Sequence, residues 1–165
     1  MWVPFNQLPD TARVWVYQAD RPLTDAEVSA IQGDLQPAVD NWAAHGTPLL
    51  GSATVLHNRF LIVSNDESHH QPSGCSIDAS VRWVREIGLA LKLDFFDRSV
   101  AYLTETDELR TVAPTQIKIA VLSGMITPDT LIFNSQITTK ADLTNRWQIK
   151  AGDSWLKRYF NNVTA

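Results

Sequence analysis

The sequence predicts an α+β fold, a mostly antiparallel sheet of about five to six strands with helices packed on it. Three observations predict it. Short stretches rich in β-branched and aromatic residues recur along the chain. Two pairs of them are close enough to be hairpins. Between them lie capped segments with apolar residues at helical spacing. The order is β-α-β-β-α-β-β-α-β-α, and its first part, β-α-β-β-α-β, has the order of a ferredoxin-like unit.

Residues 1–12 read as an ordered arm. Pro4 and Pro9 forbid regular structure, while Trp2, Val3, Phe5 and Leu8 favour burial. Arg13 to Gln18 reads as a central strand, because both of its faces are apolar or aromatic. Thr24 and Glu27 have capping-box spacing, and Leu23 and Val28 stand at hydrophobic-staple positions. Val28, Ile31, Leu35, Val39 and Trp42 continue at helical spacing. Pro37 predicts a kink or break, and His45, Gly46 and Pro48 predict the helix end. Strands at Gly51 to Leu56 and Phe60 to Ser64 form a hairpin around His57-Asn58-Arg59. A second helix runs from near Ser76 to about Leu91, its stripe made by Ile77, Val81, Val84 and Leu91 with Ile87 beside it.

The rest of the chain is more broken. Ser99 to Thr104 and Leu109 to Val112 make a second hairpin, and Thr115 to Ser123 a short helix ended by Gly124. Leu131 to Phe133 is a short strand. Thr139 and Asp142 suggest a capped helix to about Trp147, and Ser154 to Phe160 a last amphipathic turn or two.

The chain has 165 residues, so a single domain over 1–165 is the expectation. No run of about 18 apolar residues is present, so no membrane span is expected. No charged n-region with an apolar h-region opens the sequence, so no secretory signal is expected. Cys75 is the one cysteine, which excludes an intramolecular disulfide and fits a reducing, cytoplasmic setting. The 14 basic residues against 18 acidic ones, with no basic run, speak against nucleic acid as a partner. A small molecule or a protein is the expected partner, and a monomer and a homodimer fit equally well.

Six stretches carry a resemblance. They are VPFNQLPDTARVWVYQADRPLT at 3–24, WAAHGTPL at 42–49, NRFLIV at 58–63, SGCSIDASV at 73–81, IFNS at 132–135 and SWLKRYF at 154–160. Over nearly its whole length the chain resembles a family of small uncharacterised bacterial proteins often labelled "ABC transporter ATPase". That label implies a nucleotide binder. A P-loop needs G-x-x-x-x-G-K-[ST], whose amides and lysine hold the phosphates. Gly33, Gly46, Gly51 and Gly74 are followed by Asp34, Thr47, Ser52 and Cys75, so no Walker A is present. Leu122-Ser123-Gly124 resembles a transporter signature loop only slightly, and a helix C-cap accounts for Gly124.

One stretch is chemically dense. Asp66, Glu67, His69, His70, Cys75, Ser76 and Asp78 fall in a loop and the helix start that follows it. Cys75 near a helix N-terminus has the setting of a thiolate nucleophile, with His69 or His70 as base and Ser73 and Gly74 turning the chain to expose the sulfur. The plainer reading is a small buried hydrophobe. Gly74, Cys75 and Ser76 can present backbone N–H groups to an anion, with hydroxyls from Ser73 or Ser76 and carboxylates at Asp66 and Asp78 nearby. The plainer reading is a serine cap, with Asp78 favouring the helix dipole. A metal is not expected, because adjacent histidines diverge and no ligand spacing matches. No motif calls for a cofactor. The sequence-based expectation is a small ligand-binding or protein-interaction domain working through residues 66–78 and the second helix start. The alternatives are a thiol-dependent enzyme or redox sensor using Cys75, and a nucleotide binder by family label alone.

Six tryptophans complete the inventory. Trp15 and Trp42 are expected in the core. Trp83 lies off the second helix's stripe and is expected to cover a neighbouring element or an interface. His45 is expected at a helix C-terminus and His57 at a hairpin tip.

Overall fold

The computed structural model describes residues 1–161. The fold is α+β, with antiparallel sheets and five helices among the described residues. The residues group into two compact units. One comprises 1–97 with 138–141, and the other 98–137 with the described residues from Asp142 onward.

The first unit contains β1 (Arg13–Gln18), α1 (Asp25–Asp40), the two-residue strands β2 (Ala43–Ala44) and β3 (Thr47–Pro48), β4 (Gly51–Leu56), β5 (Phe60–Asn65) and α2 (Gly74–Leu91). Its main sheet has the order β1-β5-β4. β5 runs antiparallel to both neighbours, with Val14 and Ser52 opposite Ser64. β1 and β4 are therefore parallel, joined through α1 and split by β5. Phe96 adds a single parallel bridge to Gln18, and the arm adds one from Trp2 to Gly51. The arm is ordered as expected: the N-terminal ammonium donates to Leu49 O at 2.6 Å, and Leu8 is buried.

α1 starts as its capping box requires. Glu27 N donates to Thr24 Oγ1 at 3.1 Å, and Thr24 N donates to Glu27 Oε1 at 3.0 Å. Ile31, Leu35 and Val39 are its buried face, and they join Trp42, Ala53, Leu61, Val63 and α2's Val84 and Ile87 in one core. The helix is not broken at Pro37 and runs on to Asp40. Pro37 and Gly33, whose carbonyl loses a donor, both lie on the exposed face, where water can replace it. The expected helix end at His45 and Gly46 is corrected. Both residues have positive φ, 49° and 80°, and form the two-residue turn between β2 and β3. A glycine after a polar residue suits a type I′ turn as well as a helix stop.

α2 starts two residues earlier than expected, because Ser73 rather than Ser76 is its N-cap. Its most buried face is Ser76, Ser80, Val84, Ile87 and Gly88, while Ile77 and Val81 are half-buried. The two serines were invisible to a purely apolar stripe.

The second unit contains β6 (Val100–Leu103), β7 (Leu109–Val112), α3 (Ile117–Leu122), β8 (Leu131–Phe133), β9 (Gln148–Lys150) and α5 (Lys157–Asn161), with residues 142–145 of α4 (Lys140–Asn145), whose first two residues belong to the first unit. Its sheet has the order β7-β6-β8-β9, all antiparallel. Val100, Tyr102, Ile132, Ile117, Val121, Leu156 and Phe160 build its core. Ser123 caps α3, and Gly124 follows at φ 78°, as the glycine stop predicts.

Among the described residues, one sheet of about five to six strands is thus replaced by three sheets of three, two and four strands. The strand expected at 99–104 as the fourth of a ferredoxin-like unit is β6, which pairs with β7 and β8 instead. β9 was not foreseen, because three residues carry no readable alternation. No helix among the described residues is long and apolar enough to cross a membrane.

Candidate functional site

The start of α2 is held by its own cap and by Trp42, and the loop before it is tied elsewhere. The first hold is the cap itself. Ser76 N donates to Ser73 Oγ at 3.1 Å, and Ser73 N donates to Ser76 Oγ at 2.6 Å. Ser76 Oγ also donates to Ser73 O at 2.8 Å, and Ser76 is buried. Both hydroxyls are therefore engaged in the helix start. Gly74 is the first helical residue, and a Cβ there would meet open space. The turn does not depend on its being glycine.

Trp42 supplies the second hold. Its indole N–H donates to Ser76 O at 2.8 Å, buried from water. The indole packs edge-on against Trp83 at 5.5 Å and Trp15 at 6.2 Å. Gly51 lets it approach the sheet, because a Cβ there would sit 3.3 Å from the Trp42 ring and 2.7 Å from Ser64 O. Trp83 covers Trp42, which is the neighbouring-element role expected of it.

The preceding loop has ties of its own. Asp66 Oδ1 accepts from Ser68 N at 3.0 Å and Ser68 Oγ at 2.6 Å, an Asx turn. Its backbone N–H donates to Leu50 O at 2.8 Å, and its carbonyl accepts from His69 N at 3.2 Å. Glu67 pairs with Arg13 at 3.3 Å on the surface, and the Arg13 guanidinium lies 4.7 Å from the Trp15 ring centre.

Against this frame lies an open depression of about 440 Å³. Trp42, Trp83, His45, Ser73, Cys75 and Ser76 are among its lining residues, with Asn41, Ala43 and Ala79. Cys75 is exposed in the first turn of α2 and not a buried hydrophobe. His69 is exposed and His70 half-buried, and neither lines the depression. The histidine that lines it with Cys75 is His45, which the sequence placed at a helix end. The signal that could have found it is the pair of turn residues His45-Gly46 between Ala44 and Thr47. Asp78 is exposed on α2, one turn beyond the cap, and is not in the lining.

The depression thus combines two indole rings with one thiol, one imidazole and the serine-capped helix start. It can take an aromatic or apolar group against Trp83 and hydrogen-bond its polar edge at His45. Among the described residues, no three His, Cys, Asp or Glu side chains gather as metal ligands. No family model matches the chain, and neither a curated protein nor a solved structure does.

Proposed function

We propose that this protein is a binding module, and that the depression at the start of α2 takes a small ligand or a side chain of a protein partner. One observation carries the reading. Trp83 and Trp42 line a concave surface in which Cys75 is exposed, and that surface is fixed by a helix cap and a buried indole hydrogen bond. Aromatic surface on a rigid frame is what binding sites use to gain contact at little entropic cost. The loop before α2 carries Asp66 as its turn, and Ser73 caps the helix.

The test is an amide and indole NMR screen with small aromatic fragments. The reading expects shifts to gather on Trp83, His45 and the first turn of α2, and Trp83→Ala to remove them. Shifts scattered over the surface, or none, would reject it.

A second reading is favoured by the exposure of Cys75 and by His45 in the same lining. A thiol sensor or thiol-dependent enzyme would use Cys75 in the first turn of α2. Alkylation at pH 7 would then be much faster in the native protein than in the urea-unfolded chain. A native rate no faster than the unfolded one removes the reading.

A further inference from the structure

The second unit has a groove of its own, independent of the α2 depression. It is about 650 Å³ and runs between the β6–β7 hairpin tip and the segment from α3 to β8. β6 and β8 pair through Tyr102 and Ile132 alone. Leu103 and Leu131, next in that register, both line the groove.

The groove has a sign and an apolar floor. Glu105, Asp107 and Asp129 line it against one cation, Arg110. Arg110 is already paired with Glu108 at 3.0 Å. Asp129 meets Lys150 at 3.6 Å, with its own side chain 87% exposed. The hairpin tip is fixed by Thr104, whose hydroxyl accepts from Glu108 N at 3.1 Å and whose carbonyl accepts from Asp107 N at 2.9 Å. Met125 is 56% exposed and Leu131 39%, so apolar surface faces water between the carboxylates. Tyr102 is 4% exposed and borders the groove.

We propose that this groove receives an extended basic peptide segment of a protein partner. Its lysine or arginine side chains meet Glu105, Asp107 and Asp129. An apolar side chain between them covers Met125 and Leu131. Charge complementarity selects a basic occupant, and the apolar floor selects a peptide over a simple cation. Methionine suits such a surface because it repacks around different side chains.

The experiment uses the full chain and short fluorescent peptides at low salt. One alternates lysine with valine, a second lysine with glycine, and a third glutamate with valine. The lysine–valine peptide is expected to bind best, the lysine–glycine peptide more weakly, and the glutamate–valine peptide not at all. Glu105→Gln, Asp107→Asn and Asp129→Asn combined should weaken binding about tenfold, as three exposed ion pairs imply. All three positions are exposed, and an unchanged melting temperature checks that the variant folds. Met125→Gln should weaken the valine peptide and leave the glycine peptide unchanged. Equal binding of the two lysine peptides, undiminished binding by the triple variant, or no binding of any peptide overturns the proposal.

Discussion

Arg21 holds Glu27 with two parallel hydrogen bonds, Nη1 to Oε1 at 2.9 Å and Nη2 to Oε2 at 2.8 Å. The same Glu27 Oε1 accepts from Thr24 N and closes the cap of α1. Arg21 Nη2 also donates to Leu91 O at 2.9 Å, at the end of α2. One carboxylate therefore links the start of one helix to the end of the other. Paired with Arg21 and hydrogen-bonded to Thr24, its pKa falls to about 2.

That depression fixes a pH dependence. An unfolded glutamate titrates at about 4.3. The folded state binds fewer protons between that value and 2, so the pair's contribution is complete above it and is lost as pH falls toward 2. Glu27→Gln keeps a side chain able to close the capping box and removes the charge. Urea midpoints from pH 6 to pH 2 should fall less steeply in the variant than in the parent.

Thr24→Ala removes the hydroxyl that accepts from Glu27 N. The expected cost is about 1 kcal/mol, the ordinary value of an N-cap threonine. Urea denaturation reads it, and an unchanged midpoint would mean that water replaces the hydroxyl without loss.

His57 sits in the turn between β4 and β5 at φ 56°, its ring edge-on to Phe60. Burial lowers its pKa. The folded state then binds fewer protons than the unfolded chain, so stability declines as pH falls below the unfolded value of about 6.5. Asparagine tolerates the left-handed backbone, so His57→Asn keeps the turn. The variant should lose this slope between pH 7 and 5 while keeping the Glu27 limb below it.

Gly51→Ala drives a Cβ to 2.7 Å from Ser64 O, a backbone atom, and 3.3 Å from the Trp42 ring. Either the sheet or the indole must move. A loss of about 1–3 kcal/mol is expected, as for other overpacked sites. Tryptophan fluorescence should shift with it, because Trp42 packs against both Trp15 and Trp83.

Features set by neighbours in sequence were legible before the structure. Thr24 and Glu27 form their box across three residues, and Gly124 stops α3, because both devices are local. Features set by distant partners were not. His45-Gly46 reads equally as a helix stop and as a turn, and only the pairing of Ala44 with Thr47 decides it. The sheet to which β6 belongs is decided by Tyr102 meeting Ile132, thirty positions away in sequence. Ser73 and Ser76 both suit a cap, and their reciprocal hydrogen bonds choose Ser73. The candidate site was half legible for the same reason. Cys75 and the start of α2 could be read locally. Trp42, Trp83 and His45 come to Cys75 through the β2–β3 turn and the Gly51 contact, which no local pattern records.

The single thiol allows the binding surface to be tested where it lies. Fragments carrying a disulfide can be exchanged onto Cys75 in the native protein under mild reducing conditions and weighed by mass spectrometry. If the depression binds, a few aromatic fragments are retained far above the others, and Trp83→Ala removes the preference. Capture in simple proportion to each fragment's intrinsic reactivity, unchanged by Trp83→Ala, would contradict the assignment of this surface as a binding site.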